Sequence, residues 1–523
     1  MDQNNKLLII NTVNAVFSES RVKDEDKPHL GTIRKLVAES TQKDRRDLAN
    51  QLLDEVLPLD NAKAMYIFLF DIFEESHFIE LLFRTIPEQI SPALYYDLFW
   101  NLSRRSFIGK KLGGNSGEVL RDFHKRMSAQ SNAFLDKMGM RKKKQTSGLR
   151  NIAIICPQIL NMRHSPTREA FNLALHLDRY FGCNTYIFNT NAMTYGNVME
   201  LIEPLVFHDN KELKGAQSVG VDYMSFKQKD VRIISFDPEP MSTRKLANIL
   251  DTLHQLNIDA VIAHGENLLI QEAVYGVWPS LFATTGTVVP LAHSDAYFVP
   301  GHLYNQGHEQ IAKEYGHDNF MLESMLVTPE GKAEITPQKS DFLINSKHFV
   351  YLVVGTRLET ELTEDFIQIC QKLLDGCADC VIAFAGTPKL ELGEYFSSQA
   401  IQAKRALNLG FQDNLAGICN MADVFLNPYR QGGGTSSQTA ILNGLPIVTI
   451  DFGHISAVVP KELRQPDWES YLHFAKALKN QPSFYLEWQK KLDAHFIEHL
   501  DIKGQVTKIY QKLIEIASTR YQS

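Results

Sequence analysis

The sequence predicts an α/β chain with two doubly wound lobes behind an all-α region, and three observations carry that reading. Glycine is almost absent before Gly109, while apolar residues recur there at helical spacing. From Asn151 onward, short apolar runs alternate with helix-length segments, and the alternation restarts near Phe349. Strands that alternate with helices imply parallel sheets with right-handed crossovers. A chain of 523 residues is too long for one core and suits about three domains.

In the first region, Met65, Phe68, Leu69, Ile72 and Phe73 mark one helical face, and Phe78, Leu81 and Leu82 another. Pro87 and Pro92 punctuate, and Leu94, Tyr95, Leu98 and Phe99 form a further face. The region closes on a polar linker, Arg141, Lys142, Lys143, Lys144, Gln145, Thr146, Ser147 and Gly148. Its basic run reads as a solvated linker, with contact to an anionic membrane surface the weaker alternative.

The first lobe opens with the strand Asn151 to Cys156, followed by a helix from about Thr167 to Phe181. Strands at Thr185 to Phe188, Val231 to Phe236 and Asp259 to His264 continue the series. The second lobe runs through Phe349 to Gly355, a helix from Thr363 to Leu374, Cys380 to Gly386, Asn408 to Phe411 and a helix at Asn414 to Met421. Val424 to Pro428 and Pro446 to Ile450 follow, and an amphipathic helix from about Gln505 to Ala517 ends the series. The expected domains are residues 1–145 (helical), 149–340 and 341–500 (the two lobes), and 501–523, a last helix crossing back to the first lobe. Two such lobes place a cleft between them, with ligands at the carboxyl ends of the strands.

Composition narrows the function. Hydrophobic content of 44% and charged content of 22% are those of an ordinary globular protein. A net charge of −7 argues against nucleic acid as the main partner. Cys377 and Cys380 form a CxxC, but no second pair stands at zinc-ligand spacing, so reduced thiols in a cytoplasmic protein are expected. The amino terminus lacks the basic start and apolar length of a signal peptide, and no run is long enough to span a bilayer.

The most informative stretch is residues 422–449, ADVFLNPYRQGGGTSSQTAILNGLPIVT. A strand, Val424 to Leu426, runs into Asn427 and Pro428, then Gly432, Gly433 and Gly434. Thr435, Ser436 and Ser437 open a helix that ends at Gly444 and Pro446. Glycines admit close approach of a ligand, and a helix start offers free N–H groups to an anion, so a phosphate or diphosphate fits. Two further strand ends belong with it: Gly355, Thr356 and Arg357, and Gly386 with Thr387. An arginine there would neutralise a diphosphate by bidentate contact; its alternative is an ion pair with Glu359 or Glu361. A P-loop is excluded, because GxxxxGK[ST] is missing.

The first lobe offers Asn161, Arg163, His164, Ser165 and Thr167 after its first strand, and His264, Gly265, Glu266 and Asn267 after DAVIA. Thr284 to Thr287 and His293, Ser294 and Asp295 follow. Histidines and carboxylates on cleft loops are candidate general bases. His164 leads among them, next to the first strand and flanked by small polar residues.

These residues resemble a known family. Two Rossmann-like lobes, the VGTRL strand end and NPYRQGGGTSSQTAILNGLP look like a glycosyltransferase of the GT-B fold. More narrowly, the chain is similar to the bacterial cytoplasmic transferases that glycosylate adhesins, relatives of the O-GlcNAc transferases, which also carry a helical region ahead of the lobes. The family's strand, Asn-Pro, Gly/Asn/Thr loop and helix fall on Asn427 to Gly444, and its basic strand-end residue falls on Arg357. Its first-loop His-Ser falls on His164 and Ser165, and a His-Ser-Asp on His293 to Asp295. The family's acidic ribose-binding residue is here Thr439, and the Glu-x7-Glu of retaining GT-B enzymes is missing, which favours an inverting reaction.

The resemblance implies transfer of a hexose or N-acetylhexosamine from a nucleotide sugar, UDP-linked, to a protein or glycan acceptor. Arg357 and the N–H groups from Gly432 to Ser436 would stabilise the leaving diphosphate, Gln438 or Thr439 would meet the ribose, and His164 or Asp295 would orient or deprotonate the acceptor. No cofactor is expected. Metal independence is expected too, since the Asp-x-Asp at Asp24 to Asp26 lies in the helical region. A capsule or surface-polysaccharide transferase is an alternative, and so is a catalytically inactive GT-B-like partner or chaperone of a glycosylation or secretion system. Further partners would be a second copy of the chain or a partner glycosyltransferase.

Overall fold

The computed structural model describes residues 2–17, 24–52, 59–73, 75–86, 89–107, 116–142, 148–160, 162, 164–193, 220–285, 287–301, 303–323, 332–386 and 390–522. Two sheets organise them. The first contains β1 (Asn151–Cys156), β2 (Asn184–Asn189), β3 (Gly220–Phe226), β4 (Lys229–Ser235), β5 (Ala260–His264), β6 (Ser280–Ala283), β7 (Ala296–Pro300) and β8 (Phe320–Glu323). Its order is β3-β4-β2-β1-β5-β6-β7-β8. All neighbours run parallel except β3, which pairs antiparallel with β4.

The β3–β4 hairpin was not legible as a turn. It is closed by Lys227 (φ 49°) and Gln228 (φ 65°), two non-glycine residues in the left-handed region. Right-handed strand twist favours that mirror-image turn, which normally selects Asn-Gly or Gly-Gly.

The second sheet contains β9 (Phe349–Val354), β10 (Cys380–Ala385), β11 (Ala406–Gly410), β12 (Val424–Leu426), β13 (Ile447–Ile450) and β14 (Arg464–Gln465). It is parallel throughout and ordered β11-β10-β9-β12-β13-β14. The order reverses between β9 and β12 here, and between β1 and β5 in the first sheet, so each lobe is doubly wound and opens a crevice at that switch point. The fold class read from the sequence is the one observed.

Alternation along β1 assigns its two faces. Ile152, Ile154 and Cys156 pack with the helix Ser165–Phe181 and with Val506, Ile509 and Leu513 of the last helix, Ile502–Gln522. Ala153 and Ile155 face the other way, into a cluster that runs through Leu250 and Trp278 to Phe68, Tyr95 and Phe123 of the helical region. The helices before residue 140 therefore share a continuous core with the first lobe. Polar contacts reinforce the seam: Tyr96 donates to the Asn267 carbonyl at 2.9 Å, and His124 and His293 both bond Glu272 Oε1, at 3.1 and 2.8 Å. Burial works to raise the Glu272 carboxyl, but the two histidines win and hold it below the ordinary range.

The six cysteines are unpaired. Cys377, Cys380 and Asp379 bring potential ligand atoms within 4.8 Å of one another before β10. Asp379 is already committed there, accepting from the Cys377 thiol at 2.6 Å and from Lys479 at 2.9 Å. Among the described residues, no helix is long and apolar enough to cross a membrane. Five of the eight linker residues, 143–147, lie outside the described residues.

Candidate functional site

The second-lobe half of the site is built where β9 and β12 end. After Val354 the chain turns through Gly355 and the exposed Thr356 to Arg357, which caps the short helix Leu358–Glu361. Arg357 places Nε and Nη2 at 3.2 and 2.9 Å from Glu361 Oε1. The other carboxylate oxygen, Oε2, accepts from Arg430 Nη1 at 2.9 Å. Glu361 thus bridges an exposed guanidinium (Arg357, 54%) and a buried one (Arg430, 4%). The triad carries a net charge of about +1 at a switch-point crevice.

After β12, Asn427 is buried, with its amide spent on Thr449 (3.2 Å), on the Pro428 carbonyl (2.9 Å) and on accepting from Arg430 Nε (3.0 Å). It holds Arg430 beneath the loop. Gly433, at φ 97°, caps the helix Gly434–Leu442. A Cβ on Gly433 would lie 2.8 Å from Arg430 Nη2, and one on Gly432 3.3 Å from Arg357 Nη2. A Cβ on Gly355 would meet Arg430 Nη1 at 2.5 Å, and one on Gly386 would meet the Gly355 carbonyl at 2.5 Å. Side chains at Gly355, Gly386 and Gly433 would therefore crowd an arginine or the neighbouring backbone, whereas Gly432 only closely approaches the flexible end of Arg357.

Thr435 opens the helix toward the first lobe. Ser436 and Ser437 return their hydroxyls to the Gly433 carbonyl at 3.0 and 2.7 Å. Thr439 is fully buried and donates to the Thr435 carbonyl at 3.1 Å. Its hydroxyl proton is given to its own helix. Gln438 is equally buried, yet neither amide atom has a hydrogen-bond partner among the described residues. Helical side chains lean toward the amino terminus, which lays this amide over the Gly434–Thr435 turn. Beside the loop, Tyr429, 45% exposed, stacks on Phe452 with centroids 4.0 Å apart.

The first-lobe half is the loop after β1. His164 caps the helix Ser165–Phe181 and bonds Thr167 Oγ1 through Nδ1 at 3.0 Å. Ser165 donates to Glu169 Oε1 at 3.0 Å and lies 2.5 Å from Thr435 Oγ1. The two hydroxyls form one hydrogen bond across the lobes, and either can be its donor. Burial pushes the Glu169 carboxyl up to about 7, against the opposing Ser165 hydrogen bond. Burial pushes His164 and His264 down to about 4, so both imidazoles are neutral at pH 7. His264 donates from Nε2 to the Pro166 carbonyl at 2.9 Å, which fixes its tautomer.

Asp295 is a correction. It immediately precedes β7 and accepts from the N–H and hydroxyl of Ser280, the first residue of β6, at 2.8 and 2.9 Å. That is the amino-terminal edge of the parallel sheet, opposite the edge carrying His164 and His264. His293 belongs there too, bonded to Glu272 and to the Tyr315 carbonyl at 3.2 Å. Asn161, Arg163 and Thr387 lie outside the described residues. Sequence reasoning missed Arg430, Glu361 as a bridge, and Glu169. Arg430 had a signal, as a cation inside the glycine-rich segment itself; Glu169 had only its spacing of one helical turn from Ser165.

Neither protein-family models nor curated proteins match this sequence. Among solved structures, the chain is similar to a mutant of the Thermobaculum terrenum O-GlcNAc transferase, at 11% identity and TM-score 0.48, covering 99% of this chain and 100% of that one. It is also similar to a glycosyltransferase from Rickettsia africae, at 10% identity and TM-score 0.49, over 71% of this chain and 99% of that one. A third is Anabaena HepE in complex with UDP, at 12% identity and TM-score 0.48, over 71% and 100%. At these levels the reading of the site rests on its own geometry.

Proposed function

We propose that the chain is a glycosyltransferase that moves a hexose or N-acetylhexosamine from a UDP-linked sugar to a protein or glycan acceptor. The observation that carries this reading is the 2.5 Å contact between Thr435 and Ser165, which sets an anion-binding helix start directly opposite the His164 loop. In this reading the diphosphate lies on the N–H groups of the Gly434–Leu442 helix with Arg357 beside it. The two do the work that a divalent cation does elsewhere. The unpartnered Gln438 amide supports a sugar hydroxyl near Thr435. Neutral His164 takes the acceptor's proton in a single inverting displacement, and its low basicity confines it to assisting at or after bond formation.

The test is mass spectrometry of candidate acceptor proteins and glycans incubated with a mixture of nucleotide sugars, beside thermal shift with a panel of nucleoside diphosphates. Transfer with wild type and none with Arg357→Ala supports the reading. No transfer, and no thermal shift with any nucleoside diphosphate, overturns it. A non-transferring partner of a glycosylation or secretion system is the second reading. It is favoured by Thr439, whose hydroxyl is turned into its own helix.

A further inference from the structure

Arg430 is the buried cation that the proposed chemistry does not yet use. Its side chain is 4% exposed, and its Nη2 has no hydrogen-bond partner among the described residues. Glycines wall it in: side chains at Gly355 and Gly433 would strike its guanidinium, and one at Gly453 (φ 71°) would strike its carbonyl. Burying a charge so thoroughly is costly, and apolar residues of similar volume commonly fill such a space at least as well. Burial indeed draws the Arg430 guanidinium below its usual range, with Glu361 opposing. Stability alone gives no reason for an ion pair here.

The geometry of Glu361 supplies one. Its Oε2 is pinned by buried Arg430 and its Oε1 faces the exposed Arg357, which lies against Gly432. A carboxylate fixed at one oxygen presents the other in a fixed direction. An exposed arginine would otherwise lose its rotamer freedom at the moment of binding. We propose that Arg430 and Glu361 are a positioning pair that pre-aims Arg357 at a diphosphate on the glycine-loop helix. The proposal rests on the donor reading above and deepens it. Arg430 acts through Glu361 and also leaves positive charge beneath the helix start. When the anion binds, Arg357 meets it from the position in which Glu361 holds it.

The test is calorimetric titration of the full chain with UDP and, separately, with inorganic pyrophosphate. The paired variant Glu361→Gln/Arg430→Met removes both charges, so neither is stranded. Its affinity for both probes should fall about tenfold or more, as should that of Arg357→Ala, and adding Arg357→Ala to the pair should cost nothing further. A merely structural role would give losses that multiply. Multiplying losses, or wild-type affinity in the paired variant, overturn the proposal. If the pair does not fold, Glu361→Asp decides: it keeps a counterion for Arg430 but is too short to bridge both arginines, and unchanged affinity overturns the proposal. If pyrophosphate binds with this pattern and UDP binds no better, the positioning pair stands and the donor reading falls. If neither probe binds the unaltered protein, both fall.

Discussion

Ser165 and Thr435 meet hydroxyl to hydroxyl at 2.5 Å, joining the first turn of a first-lobe helix to the first turn of a second-lobe helix. The bond lies on the path from the glycine loop to His164, so it ties the proposed donor half to the proposed acceptor half. Ser165→Ala and Thr435→Val should each weaken nucleotide binding, and together should cost less than their sum. The coupling expected of one such hydrogen bond is about 0.5–1.5 kcal/mol. A double-mutant cycle on the UDP dissociation constant measures it, and strict additivity would show the contact to be incidental.

Gly433→Ala tests the loop. Its φ of 97° is unfavourable for any side chain, and the new methyl would lie 2.8 Å from Arg430 Nη2. Strain of this kind costs roughly 1–3 kcal/mol, so urea unfolding should shift to lower denaturant. The folded fraction should lose diphosphate binding. Normal affinity in that fraction would separate the loop from the anion.

Glu169 predicts a pH effect. Its folded value of about 7 lies above the ordinary 4.5, so the folded chain holds this proton the better. Its contribution is complete below about pH 4 and is lost as pH rises through 7, a swing on the order of 3 kcal/mol. His164 and His264 act the other way: their folded values of about 4 make stability fall as pH drops from 6.5 through 4. The informative quantity is therefore the difference between wild type and Glu169→Gln. The variant should gain relative stability between pH 5 and pH 8 in thermal melts, and a flat difference would contradict the burial argument.

Asp295→Asn separates structure from catalysis. The carboxylate holds the starts of β6 and β7 together through Ser280. The substitution should lower the melting temperature while leaving the pH profile of transfer unchanged. A displaced profile would return Asp295 to the reaction.

Much of this architecture was legible because buried parallel strands are written as apolar runs such as NIAIIC and CVIAFA. The glycine loop was equally plain. The cause behind its glycines is not written in the sequence, which shows that a side chain is disfavoured but not whether a ligand or an arginine disfavours it. Asp295 was misplaced because the short strand AYFVP that follows it went unread. A residue before a parallel strand and one after it lie on opposite edges of the sheet. The Lys227–Gln228 turn left no trace, since its mirror-image geometry was adopted without glycine or asparagine.

The last helix has a mechanical consequence. The chain passes between the lobes once after β8 and again ahead of Ile502–Gln522, and Lys508 of that helix bonds Glu323, the final residue of β8, at 2.5 Å. The first part of the last helix therefore lies beside the end of β8. Cutting the last helix away would strip Val506, Ile509 and Leu513 from the first-lobe core and break the Lys508–Glu323 tie.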